Sequence, residues 1–188
     1  MKLQNWQTLK SKIVFSNRWV RLRQDRIRLP NGSVISDYFV RETNRVAVIF
    51  ALTKDRKVIT IHQYRHGIGE VVNNLPSGNI EPSEQPLASA KRELLEETGY
   101  RAGKIRKIGE AYAEPTGSNA RVIYFLAEDC KKVAEPLDNP REEIEVELVS
   151  INELKRRAAH SKIRCQYCLS AILLGLLVLK NNLTTSQL

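Results

Sequence analysis

Cysteine, methionine and aromatic side chains are scarce in this 188-residue chain, which has three cysteines, one methionine and 6% Phe, Trp and Tyr. Three cysteines, Cys130, Cys165 and Cys168, are too few and too odd in number for a disulfide framework. That usage fits a reducing compartment, so a cytoplasmic location is expected. Cys165 and Cys168 form a CxxC, but the second pair that a structural zinc site needs is missing. The pair lies on an apolar helical stretch, and two buried core thiols are expected there. Long apolar runs are absent too. The longest, Leu169 to Leu179, is 11 residues interrupted by Ser170 and Gly175, too short to cross a bilayer and suited to a core helix. The first residues are polar and lack the apolar stretch of a secretory signal.

Hydrophobic content of 42% and charged content of 27% are ordinary for a globular chain, and the length allows one domain with a small appendage. The net charge of +9 is unevenly spread. Residues 1–30 carry Lys2, Lys10, Lys12, Arg18, Arg21, Arg23, Arg26 and Arg28 against Asp25 alone, whereas residues 135–153 are strongly acidic. A basic start can attract anions. However, no RNA-binding signature interleaves its few aromatics, so a solvated basic ribbon is the expectation and nucleic acid is not an expected partner.

Alternation of apolar and basic residues marks strands over about 10–16 and 18–29. Asn31-Gly32 marks a hairpin turn back into Val34 to Val40. Residues 1–41 thus read as a small antiparallel β unit with water-facing or partner-facing arginines, ahead of a domain over 42–188. Two β-rich runs, Arg45 to Leu52 and Lys57 to Tyr64, form a second hairpin. Further strands are expected at Lys104 to Ala113, Ala120 to Ala127 and Ile144 to Val149. Ser83 is the expected N-cap of a helix that has Pro86 in its first turn and Gly99 as its stop. Ser150 with Glu153 makes a capping box for a helix near 151–159, and a last helix covers about 163–180. This order specifies a mixed sheet flanked by helices.

The most informative stretch is Gly78 to Tyr100, GNIEPSEQPLASAKRELLEETGY. On a helix Glu97 lies about 40° from Glu93 and Glu96 about 60° to the other side, so three carboxylates share one stripe. Leu87, Ala90 and Leu94 form the adjacent stripe and should press onto a core. Like charges on one face repel. One reading is a solvated acidic face partnered by Lys91 and Arg92. The other is a hard divalent cation such as Mg²⁺, which prefers oxygen ligands and leaves positions for water and phosphate.

The spacing decides between them. Gly78, five residues, Glu84, seven residues, Arg92-Glu93-Leu94, one residue, Glu96-Glu97, one residue and Gly99 match every fixed position of the 23-residue Nudix box. The chain therefore resembles the Nudix hydrolases, which implies a Nudix-type α/β/α sandwich over about 42–180 and cleavage of a nucleoside diphosphate linked to another group. The resemblance implies that Glu93, Glu96 and Glu97 ligate Mg²⁺, with Mn²⁺ as a substitute, and that the Ser77 carbonyl joins them, aimed by a tight turn at Gly78. Arg92 is expected to orient a helix glutamate, and Glu84 to support the loop or to reach the metal through water.

His62-Gln63-Tyr64-Arg65 followed by Leu75-Pro76-Ser77-Gly78 resembles the branch that hydrolyses ADP-ribose and related nucleoside-diphosphate sugars. So does Pro115, 16 residues after Gly99. Ser77 and Asn74 depart from that branch's usual alanine and acidic residue. The resemblance implies a general base on the loop before the last strand, Glu142 with Glu143 next. Glu145 and Glu147 are expected on the solvated face of that strand. Arg65 is expected to meet phosphate, and Arg41 and Trp19 are candidates at the base, as are Trp6 and Phe39. A homodimer joined through the N-terminal unit is also implied. The alternatives are a GDP-mannose-type hydrolase, a non-catalytic nucleotide-sugar-binding regulator, disfavoured by the complete acid set, and a role in removing nucleic-acid caps.

Overall fold

A computed structural model describes residues 3–137, 139 and 143–181, and the chain divides into two compact units. The smaller comprises residues 1–44 together with 112–121. Its sheet is an antiparallel meander of β1 (Gln7–Ser16), β2 (Arg21–Arg28) and β3 (Val34–Glu42). The turn after β2 is the Asn-Gly turn expected from sequence, closed by Leu29 N–H to Ser33 O at 2.9 Å. Its arginines do not all face water. Arg23 reaches Asp25 at 2.9 Å and Glu42 at 2.5 Å, and Arg21 meets Glu42 at 2.7 Å. Burial pushes the Asp25 carboxyl up, but hydrogen bonds from Arg23 and Ser11 outweigh it and hold the group below its ordinary range. The small unit also takes in a segment that the sequence division at residue 41 left out. Residues 113–120 return along β3, with Arg41 N–H donating to Gly117 O at 2.9 Å and Thr43 N–H to Asn119 Oδ1 at 2.9 Å.

The larger unit is built on β4 (Val46–Thr53) and β10 (Arg121–Lys132), which pair in parallel, Val46 beside Val122 through Ala51 beside Ala127. Both are near-continuous apolar runs because helices cover both faces of a parallel pair. Next to β4 comes β5 (Lys57–Arg65), then β11 (Ile144–Ser150). β6 (Glu70–Asn74) pairs with β5 and β7 (Ser77–Asn79) with β4. On the far side, β8 (Tyr100–Arg101) and β9 (Lys104–Tyr112) pair with β10.

Alternation along β4 sorts its side chains between two layers. Ala47, Ile49 and Ala51 join Ala90 and Leu94 of α1 (Pro86–Thr98) in one core. Leu87, expected in the same stripe, is instead 40% exposed. Phe50 points the other way, to Gly175 of α3 (Gln166–Asn181), and α2 (Ile151–Ala159) follows β11. The α2 cap is the expected one: Ser150 Oγ accepts the Glu153 N–H at 3.1 Å.

A Cβ at Gly175 would lie 2.5 Å from Phe50 Cδ1 and 2.7 Å from Cγ. Gly175→Ala should therefore overpack the layer and cost about 1–3 kcal/mol in a urea unfolding series. Gly67→Ala, where nothing lies within 4 Å, should stay within about 0.5 kcal/mol of the parent chain.

Candidate active site

Helix α1 is delimited by backbone chemistry. Its N-cap is Gln85, extended at φ −74° and without a side-chain cap bond, rather than the expected Ser83. Pro86 at the first helical position needs no donor there. The helix ends where Gly99 takes φ 74° and its N–H donates to Leu95 O at 2.8 Å. Between these ends the acidic stripe forms as the spacing required.

Arg92 organises the stripe. Its Nε and Nη2 meet the two Glu84 carboxylate oxygens at 3.0 and 2.9 Å, a two-pronged fork. Nη1 donates to Glu93 at 2.8 Å and to Glu96 at 3.0 Å. Nη2 also reaches the Asn79 carbonyl at 3.2 Å, tying α1 to the end of β7. Hydrogen bonding from Arg92 holds the Glu84 carboxyl down at about 2, so it stays ionised at neutral pH. Glu84 is thus a partner of the arginine, which places the charge far more tightly than the single orienting contact expected from sequence. Glu97, 8% exposed, accepts the Ser77 N–H at 2.7 Å and fixes the helix to β7 from its other end.

The reason for glycine at position 78 differs from the expected tight turn. Gly78 lies within β7, opposite Ala47 of β4. A Cβ there would lie 2.0 Å from the Glu93 carboxyl carbon. The missing side chain lets a carboxylate lie directly on the strand backbone.

Among the described residues no three His, Cys, Asp or Glu side chains already form a closed metal cage. The donor chemistry nevertheless fits a hard cation. Glu93, Glu96 and Glu97 present carboxylates within five residues of one helix, beside Ser77 and the cradle that Gly78 leaves open.

The other expected site residues are divided between the two units. Within the small unit Arg41 and the loop bearing Pro115 come together, with the Arg41 guanidinium 3.9 Å from Glu114 and Pro115 exposed. Trp19 is 73% exposed, with the Arg18 guanidinium 4.7 Å from its ring centre. Trp6 packs edge-on against Tyr38 at 6.0 Å. In the larger unit Arg65 is exposed at the end of β5 and Glu143 is exposed just ahead of β11. Glu142 lies outside the described residues.

Glu145 is exposed as expected, and Glu147, on the same face of β11, is partly exposed but ion-paired. Arg157 holds it with 2.6 and 2.7 Å contacts and His62 Nε2 lies 2.8 Å away, so its carboxyl sits low, at about 2. His62 and Arg157 are 85 and 10 residues from it in sequence. Only the β5–β11 register, Ile61 beside Val146 and Thr60 beside Glu147, brings the first of them into reach.

The NUDIX domain family matches residues 42–167, two thirds of the chain. The chain belongs to the Nudix family. Residues 6–40 of this Nudix hydrolase match a second family, the nucleoside diphosphate sugar hydrolase N-terminal domain. It is 34% identical to an ADP-ribose pyrophosphatase of Bacillus subtilis, over 82% of this chain and 80% of the relative. Over 45% of this chain and 47% of the relative it is 32% identical to a GDP-mannose pyrophosphatase of Escherichia coli K12. The fold matches a crystal structure of an ADP compounds hydrolase at 21% identity and a TM-score of 0.86, covering 97% of this chain and 98% of that one.

Gly78→Ala separates site from fold in this Nudix hydrolase. The atoms in the way are the flexible end of Glu93, so the fold has an easy escape. Thermal unfolding should move little, while kcat should fall roughly 10–100-fold as Glu93 is turned out of place. A large loss of stability with normal residual activity would reject the cradle.

Proposed function

We propose that this Nudix hydrolase cleaves the pyrophosphate bond of a nucleoside diphosphate sugar, ADP-ribose first among them, giving a nucleoside monophosphate and a sugar phosphate. The Arg92 cluster carries the reading: one guanidinium positions three carboxylates beside the Ser77–Gly78 strand, with Glu97 anchored to the same strand. The N-terminal family match and the names of the relatives support the substrate class.

Glu93, Glu96, Glu97 and the Ser77 carbonyl would hold Mg²⁺, or Mn²⁺ in its place. The bound ion supplies charge neutralisation for a diphosphate and lowers the pKa of water. The protein's own part is positioning. Arg92 keeps Glu93 and Glu96 turned to one side of α1, so their rotamers are set before substrate arrives. Glu142 or Glu143 takes the proton from the water whose oxygen attacks phosphorus as the bridging oxygen leaves. Arg65 contacts a phosphate. Arg41, Trp19 and Pro115 serve the nucleoside end. Exposed Ile13, Val14, Phe15 and Val20 support pairing of two copies through the N-terminal unit.

Assay of ADP-ribose and GDP-mannose with Mg²⁺, products resolved by chromatography, should show a nucleoside monophosphate and a sugar phosphate. Glu97→Gln should lower kcat by several orders of magnitude in a folded protein, and near-normal turnover would remove the metal assignment. Glu142→Gln should lower kcat roughly 10²–10⁴-fold with little change in KM. The same loss confined to Glu143→Gln would move the base one residue on.

A further inference from the structure

Cys165 and Cys168 are not the two equivalent core thiols that the sequence suggests. Cys168 is buried and Cys165 is only partly buried. Cys165 immediately precedes α3, and its carbonyl accepts the Leu169 N–H at 3.0 Å. Cys168 lies in the first turn. Helical geometry puts the Cα atoms of residues three apart about 5 Å from each other, inside the Cα range of about 4.4–6.8 Å that disulfides span, and a bond needs the two side chains to turn toward each other.

The surroundings differentiate the two sulfurs. Cys165 stands at the start of α3 beside Cys168 and the first backbone N–H groups of the helix, and these, with the positive charge of Arg65, favour its thiolate. Neighbouring Cys168 most of all, then the backbone N–H groups, hold the Cys165 thiol below its ordinary range, while neighbouring Cys165 and burial push that of Cys168 up. Cys168 is also a clasp. Its Sγ accepts the Leu75 N–H at 3.3 Å and faces Asn74 Oδ1 at 3.8 Å. Two residues beyond Leu75, Ser77 N–H donates to Glu97. Cys130, the third cysteine, is buried in the α1 core and burial pushes its thiol up to about 12, so it stays protonated and enclosed.

We propose that Cys165 and Cys168 form a reversible disulfide in which Cys165 is the attacking thiol and Cys168 the resolving one, and that closing it releases the Asn74–Leu75 clasp behind the carboxylate site. With hydrogen peroxide as oxidant, the Cys165 thiolate attacks one peroxide oxygen, forming a sulfenic acid and releasing hydroxide. The Cys168 sulfur then attacks the Cys165 sulfur, and the sulfenic oxygen leaves as water with the Cys168 proton. Two thiols and one peroxide become one disulfide and two waters. The S–H that faced Asn74 Oδ1 is consumed.

The chemical half of the proposal is independent of the substrate assignment; the turnover half rests on that assignment. The full chain is treated with peroxide, its thiols are titrated after denaturation, and its peptides are mapped. Two of three thiols should be lost, with a Cys165–Cys168 linkage, a loss of two hydrogens in the intact mass, and full return on adding dithiothreitol. Nucleotide-sugar hydrolysis should fall and return in step. In Cys165→Ser, or in Cys165→Ala, no linkage should form, and dithiothreitol should restore nothing. Retention of all three thiols, or oxygen addition at Cys165 without linkage, would overturn the disulfide. A linked protein that hydrolyses at the parent rate would overturn the release of the clasp. If no nucleotide sugar is hydrolysed even by the reduced chain, the substrate reading fails while the thiol count still decides the disulfide.

Discussion

One guanidinium shared among Glu84, Glu93 and Glu96 is the constraint on which the acidic end of α1 depends. A helix that stacks carboxylates one turn apart is destabilised by their repulsion. Arg92 offsets it by meeting all three within 3.0 Å, with the fork given to Glu84 and the remaining nitrogen split between the other two. Glu84 is consequently committed to the arginine and less available to anything else. Glu93 and Glu96 each have one oxygen turned to the arginine. The division separates a residue that holds the cluster together from residues that could take a cation. Lysine at position 92 could not do this, because a single ammonium has no planar fork to place two oxygens while also reaching a third and fourth.

The cluster is precise because the scaffold beneath it is rigid. β4 is buried along nearly its whole length and takes β7 on one side and β10 on the other. β7 is only three residues long, yet it receives Glu97 at Ser77, Glu93 at Gly78 and Arg92 at Asn79. Each of its residues therefore meets a different member of the acidic motif. The motif and the strand fit as a pair, and neither would hold its geometry without Ala90 and Leu94 of α1 anchored in the core shared with Ala47 and Ile49.

Signals in the sequence are legible where their cause is local. Asn31-Gly32, Pro86, Gly99 and Ser150 each act within a turn, and each marks a boundary the fold uses. The carboxylate stripe was legible for the same reason, since helical phase needs no knowledge of the rest of the chain. What escaped depends on partners far away in sequence. β7 forms only because β4 offers it an edge. The purpose of Gly78 is visible only when Glu93, fifteen positions on, folds back over it. The ion pairs of Glu147 are hidden for the same reason, because its partners His62 and Arg157 come from β5 and α2. Leu87 looked like core because periodicity cannot say how wide the buried stripe is. Cys165 looked buried for a similar reason: the apolar run that follows it belongs to α3, but the residue itself stands outside the helix.

The same logic explains why α3 bears on a site it does not join. Phe50 needs Gly175 opposite it, so α3 is held close to β4 on the face away from α1. That approach delivers Cys168 to the backbone of Leu75, at the end of β6. From Leu75 the chain passes through Pro76, whose carbonyl accepts the Ile49 N–H at 2.9 Å, and into β7. The segment thus has three attachments in succession: a thiol from α3, an amide from β4, and a carboxylate from α1. The amide bond is part of the sheet and the carboxylate is part of the acidic motif. The thiol is the weakest hydrogen-bonding group of the three and the one that can change its covalent state. The Cys168–Leu75 hydrogen bond therefore lies two residues from Ser77, which opens the one strand that every acidic residue of the α1 stripe touches directly or through Arg92.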